Sequence, residues 1–261
     1  MIPSFPLIAD CAGIQLPLKR SWDQGATALL TPGADWHLRK LPTGESTGWH
    51  LRFGALTAAE AARLTEFHAQ VRGAYRCFRF CDPLRNLLAW SEEIARPPWS
   101  VPNGVSVTAL MNPIEGVLTG AVVVNQSSEE CVLSQTVDCS AALPYSFSVS
   151  AQGTPGREFA LLIENQRRSF GTSQQWRKSV FASAPGGESE SVQFGIAIPS
   201  GVQLELSGLH AEAGVCQPVY RRSDGLQGVV SNARFSSDEL VLIGTEDGTY
   251  SAELRIRCGN Q

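Results

Sequence analysis

No apolar run in this chain approaches the roughly 20 residues that a membrane helix requires. The N-terminus, MIPSFPLIAD, lacks a basic leader and a long apolar core, so no secretory signal peptide is expected. Cations are not in excess: 21 Lys and Arg stand against 25 Asp and Glu, a formal net charge of −4. A specific nucleic-acid grip needs a basic stripe that neutralises phosphates, so none is expected. Membrane insertion is not expected either.

Catalytic signatures are also missing. There is no G-x-S-x-G, no phosphate loop and no G-x-G-x-x-G. The serines within Tyr145–Ala151 lie on a plain strand, where no strained elbow exposes them. Glu129-Glu130 and Glu246-Asp247 fall in turns and read as solvated pairs. No catalytic residue and no cofactor site is expected, and the chain reads as non-enzymatic. His37 and His50 sit on facing strands of one expected hairpin, but no third ligand accompanies them, so no metal site is expected. The seven cysteines are odd in number and scattered, which reads as reduced thiols. Cys77 and Cys81, four apart on a strand, lie about 13 Å apart, too far for a disulfide.

What is present is one strongly signalled helix running into a strand, Leu56–Pro83. Thr57 and Glu60 have the spacing of a capping box. Ala61, Leu64, Phe67 and Val71 form an apolar stripe at helical spacing. Gly73 suits the left-handed helix end. Beyond it Phe78 and Phe80 share a strand face, opposite Arg79, until Asp82-Pro83 stops the strand.

Residues 1–35 read as an extended arm with one or two short strands. Trp36–Leu41 and Trp49–Phe53 alternate and suggest a hairpin. A helix-like stretch, Leu87–Ala95, precedes Arg96-Pro97-Pro98, a plausible boundary. Beyond it short alternating strands follow one another. They are Val105–Leu110, Val117–Asn125, Cys131–Val137, Tyr145–Ala151, Phe159–Glu164, Trp176–Phe181, Val192–Ile198 and Val202–Leu209. Such a series implies a two-sheet jelly-roll sandwich. After a second boundary near Pro218, Ala233–Phe235, Glu239–Ile243 and a closing strand over Tyr250–Ile256 are too short a set to stand alone. They are expected to complete the thin core of residues 1–97. The chain is therefore read as mainly β, with a discontinuous domain (1–97 and 219–261) and an inserted sandwich (98–218).

Trp99, Trp176 and Tyr220 are the aromatics able to stack on a sugar in or near the sandwich, with Arg177 as a polar neighbour. Trp176 is expected to be core, since most sandwich tryptophans are buried. Trp176, Arg177 and Tyr220 stand as the candidate glycan-binding residues.

Two stretches resemble a known family. Leu56–Pro83, with Arg72-Gly73, Phe78-Arg79-Phe80 and Asp82-Pro83, resembles the N-terminal domain of phage distal tail proteins and the tail-tip proteins of gene-transfer particles. Arg234-Phe235-Ser236-Ser237-Asp238-Glu239-Leu240 resembles their R-F-D-x-D-x-L run, with Ser236 replacing the first acid. Gly201–Glu205, Glu212-Ala213-Gly214 and Pro218–Arg222 are similar to the closing strand of carbohydrate-binding-module jelly rolls.

The resemblance implies a structural virion protein: a subunit of a homohexameric tail-tip ring joining the tail tube to the hub, tape-measure and adhesion proteins. The ring-forming unit would be the β domain with its helix. The jelly roll would point outward, toward host surface glycans or other tail proteins. Such a protein is made in the host cytoplasm and resides at the virion tail tip. The Arg79 face, with Arg72, is the candidate subunit interface. The alternative reading is a carbohydrate-binding adhesin; a cell-wall hydrolase ranks below both.

Overall fold

The structure is a computed structural model that describes residues 2–8, 19–23, 26–30, 36–40, 46–111, 118–215 and 219–259. It is mainly β. Its contacts form two compact units, Met1–Phe80 with Val230–Gln261, and Cys81–Val229.

The first unit opens with β1 (Lys19–Asp23), β2 (Ala26–Leu30), β3 (Trp36–Lys40) and β4 (Ser46–Leu56). The expected pairing of the Trp36 and Trp49 strands does not form. β3 pairs with β2 instead, and β4 pairs with β1. The reason lies in β4, whose Trp49, Leu51 and Phe53 are all buried and hold it in the middle of a larger sheet.

Helix α1 (Ala58–Val71) follows, and both halves of its capping box are made: the Glu60 amide donates to Thr57 Oγ1 (3.3 Å) and the Thr57 amide to Glu60 Oε2 (2.8 Å). Ala61, Leu64, Phe67 and Val71 are its buried face. Arg72 (φ 55°) and Gly73 (φ 58°) both turn left-handed at its end. β5 (Phe78–Cys81) buries Phe78 and Phe80.

The second unit holds β6 (Val105–Met111), β7 (Leu118–Asn125), β8 (Cys131–Val137), β9 (Tyr145–Gly153), β10 (Glu158–Ile163), β11 (Gln166–Gly171), β12 (Arg177–Ser183), β13 (Val192–Ile198) and β14 (Gln203–Ala213). One sheet runs β11-β10-β13-β8 and the other β12-β9-β14-β7-β6. Tyr145, Phe147 and Val149 of β9 meet Leu161, Phe194 and Ile196 of the facing sheet in one core, a jelly-roll type of sandwich. Sequence reading missed β11. Its signal was the Glu164-Asn165 corner, because Ile163 pairs with Gln166 across a two-residue turn in which Glu164 has φ 53°.

The stretch Leu87–Ala95 is not a helix. Trp90 sits at φ 52°, and the amides spend their donors elsewhere: Leu87 on the Ala211 carbonyl, Ala89 on Gln135 Oε1 and Trp90 on the Asp224 carbonyl. Leu87, Leu88, Ile94 and Trp99 join the sandwich core. Buried Asn86 binds the segment to β14, donating to the Leu209 carbonyl (2.7 Å) and accepting from the Ala211 amide (3.0 Å). Residues 81–97 and 219–229 therefore pack with the second unit. The contact boundaries lie at 80/81 and 229/230, not at 97/98 and 218/219.

The chain returns to the first unit through β15 (Val229–Phe235), β16 (Leu242–Gly244) and β17 (Tyr250–Gly259). The sheet order is β1-β4-β17-β15-β5, with β16 beside β17. The last strands thus lie between the first ones, and Ala252, Leu254, Ile256 and Phe235 complete the core around α1. Phe5, missed in the sequence, packs edge-on to Phe67 and Phe80 with ring centroids 5.6 Å from each.

Candidate functional site

β9 alternates Tyr145, Phe147, Val149 and Ala151 inward with Ser146, Ser148, Ser150 and Gln152 outward. Gln152 lies opposite Glu205 of β14, and its Nε2 donates to Glu205 Oε2 (2.5 Å). A cleft of about 350 Å³ opens at this end of the sheet, lined by Gln152, Gln174, Gln203, Glu205 and the Gly153-Thr154-Pro155 turn. Glycine is required at 153, because a Cβ there would stand 2.9 Å from the Gln203 carbonyl oxygen. The lining offers amide donors and acceptors with one carboxylate. That inventory matches sugar hydroxyls, each of which both donates and accepts.

Trp176 is not among the residues that line this cleft but follows Gln174, which is, by two positions. It is 43% exposed, which corrects the expectation of a core tryptophan. Register explains its position: Arg177 pairs with Ala151, so Trp176 continues the row opposite Gln152 on the outer face, beyond the end of the core. The same alternation sends Arg177 to the other face, so the two candidates do not work side by side.

Tyr220 lies elsewhere. Its ring sits against Gly208, near His210, whose register partner is Ser148, about 13 Å along β9 from Gln152. The Tyr220 hydroxyl donates to Glu92 Oε1 and lies 3.1 Å from Ser91 Oγ. The Arg221 amide donates to His210 Nδ1 (3.1 Å), and Arg221 Nη1 to Glu212 Oε2 (3.2 Å). Burial pushes the Glu92 carboxyl up, against the opposing hydrogen bond from Tyr220. Burial, then the Glu92 hydrogen bond, push the Tyr220 phenol up as well. This cluster fastens residues 219–223 onto the sandwich and occupies the Tyr220 hydroxyl. Trp99, the third aromatic, is buried with its indole N–H on the Ala89 carbonyl (3.0 Å).

Arg79 does not form an exposed face. It is 8% exposed, and its backbone pairs with Pro3 and Phe5, which extend the sheet beyond β5. Arg72 is exposed, at the helix C-cap. His50 Nε2 donates to Glu253 Oε2 (3.1 Å), and β3, which carries His37, is not its neighbour. Among the described residues no group of three or more His, Cys, Asp or Glu is placed to hold a metal ion.

The residues that line the cleft, Gln152, Gln174, Gln203 and Glu205, were not singled out from the sequence. The available signal was the polar row outward of Tyr145–Ala151, together with Gln174-Gln175-Trp176.

No family model matches the chain, and no curated protein matches its sequence. Solved structures resemble it in fold. The TmCBM61 domain, determined in complex with β-1,4-galactotriose, is 18% identical over 49% of this chain and 99% of its own, with a TM-score of 0.38. A xylan-binding CBM22 domain from Paenibacillus barcinonensis is 11% identical over 51% of this chain and 97% of its own, with a TM-score of 0.40. The enzymatically active domain of bacteriophage CBA120 tailspike protein 4 is 10% identical over 51% of this chain and 22% of its own, with a TM-score of 0.38.

Proposed function

We propose that the second unit is a non-catalytic carbohydrate-binding sandwich that takes a glycan in the cleft beside Trp176. The observation that carries this reading is the exposed indole next to a row of glutamines. A flat aromatic face stacks on a sugar ring, and amides meet its hydroxyls. The lining supports a non-catalytic reading: glycoside hydrolysis uses a pair of carboxylates across the bond, and among the described residues this cleft offers Glu205 alone, already engaged by Gln152. Glycan-array binding by the full chain, run beside Trp176→Ala, tests it. The wild type is expected to select one class of glycan and the variant to lose at least about tenfold in affinity, near 1.4 kcal/mol. Undiminished binding by the variant would remove Trp176 from the site.

A second reading concerns the first unit, and one observation favours it. The two stretches that resemble distal tail proteins meet in space. The Ala74 amide donates to Asp238 Oδ1 (2.9 Å), Arg234 Nη1 to the Tyr75 carbonyl (3.3 Å), and the Phe78 and Phe235 rings lie 4.9 Å apart. This supports a tail-tip ring subunit at the virion tail tip, a homohexamer that mounts the sandwich and meets tube, hub and adhesion proteins. Negative-stain imaging of purified protein tests it: six-fold rings with peripheral lobes are expected, and isolated monomers at every concentration contradict it.

A further inference from the structure

The sheet of the first unit has two unlike faces. One packs on α1. The other carries Lys19, Arg52, Arg234, Arg255 and Arg257, all exposed, with His50 among them. Register places like charges together. Arg234 stands opposite Arg257, and Lys19 and Arg255 flank His50 across β1, β4 and β17. Directly opposed like charges destabilise a sheet. Glu253, a carboxylate on this face, is shared by Arg52 (3.0 Å) and His50 (3.1 Å). Lys19, Arg255 and Arg257 have no anionic partner among the described residues.

The second unit has the opposite balance, 9 Lys and Arg against 14 Asp and Glu. At one end of its sandwich a cleft of about 290 Å³ is lined by Glu164 and Glu188 with the Pro185-Gly186-Gly187 loop. Asp138 lies close by, since Val137 pairs with Val192 and the Ala141 amide donates to the Ser189 carbonyl. Asp138 and Glu188 are exposed and have no cationic partner among the described residues.

We propose that the basic sheet face docks the acid-lined sandwich end of a second copy of this chain. The occupant is identified by charge: Arg side chains suit carboxylates in a bidentate fashion, and this chain carries the complementary cleft. Such a contact is head-to-tail, so it generates a ring or an open chain rather than a two-fold dimer. The inference rests on the self-assembling reading above and adds to it an interface in which the sandwich of the next copy takes part.

Light scattering on the full chain after size exclusion tests it with two charge-reversed variants, Arg255→Glu/Arg257→Glu and Asp138→Lys/Glu188→Lys. All four residues are exposed, and circular dichroism checks that each variant folds. The wild type is expected to assemble at about 0.05 M salt and to dissociate at about 1 M, where screening shortens to about 3 Å. Each variant alone is expected to be monomeric, and an equimolar mixture of the two to assemble again, because each supplies the surface the other has reversed.

Assembly of both variants as in the wild type overturns this interface and leaves the ring reading standing. A wild type that stays monomeric overturns both. A mixture that fails to reassemble overturns the pairing of these two surfaces. A monomeric wild type that shifts a double-stranded oligonucleotide, with the shift lost in Arg255→Glu/Arg257→Glu, assigns the face to nucleic acid instead.

Discussion

The two units bury their sheets in different ways. In the second unit two sheets face each other, and Tyr145, Phe147, Phe194 and Ile196 interlock between them. In the first unit one sheet covers a single helix, and a cluster of phenylalanines from distant parts of the chain fills the interface. A sandwich closes on itself. A sheet with one helix leaves its other face to water, and here that face is cationic. The proposed roles follow this difference: glycan binding is proposed for the self-contained unit, and a partner contact for the half-covered one.

The largest expected effect separates the two cores. Phe147→Ala and Phe78→Ala each remove a fully buried ring, at a cost of about 3–5 kcal/mol. Calorimetry of the full chain is expected to show two transitions, with Phe147→Ala lowering that of the second unit and Phe78→Ala that of the first. A single transition shifted equally by either change would erase the distinction between the units.

Next comes Asn86, which holds residues 81–97 to β14. Its side chain donates to the carbonyls of Leu209 and Arg221 and accepts from the amides of Leu88 and Ala211. Asn86→Ala leaves these buried groups unmatched and is expected to cost about 3 kcal/mol, all of it in the transition of the second unit. A loss in the first transition would restore the boundary at Pro97.

The smallest effect is a slope. Burial raises the Glu92 carboxyl above its unfolded value, so the native chain holds its proton to higher pH than the unfolded chain does. Stability from this group is complete below the ordinary carboxylate range and declines as pH rises through the raised value. Glu92→Gln keeps an acceptor for the Tyr220 hydroxyl. Urea denaturation of this variant across mildly acidic pH is expected to lack that decline. An unchanged slope would mean that Glu92 does not titrate in this window.

The helix was legible because its signals are local: the Thr57/Glu60 box and the Ala61, Leu64, Phe67, Val71 stripe depend on nearest turns alone. Alternating strands such as Cys131–Val137 and Val192–Ile198 were legible for the same reason. Pairing was not. The partner of Trp36–Lys40 depends on which strand claims β4, and that is settled by β17, two hundred residues later in the chain. Leu87–Ala95 has a helical apolar spacing, yet its amides find better partners on the sandwich. The exposure of Trp176 follows from the register of β12 on β9, which no window of sequence carries. Net charge hid the basic face, because the first unit itself holds 12 Lys and Arg against 11 Asp and Glu, and strand register alone gathers the cations on one side.

The central claim is that the cleft beside Trp176 holds a sugar while the Tyr220 cluster is structural. Affinity electrophoresis through gels containing soluble polysaccharides tests both halves with the wild type, Trp176→Ala and Tyr220→Phe. The account predicts that one polysaccharide retards the wild type and Tyr220→Phe alike and leaves Trp176→Ala unretarded. Retardation by no polysaccharide, or equal retardation of wild type and Trp176→Ala, would contradict it.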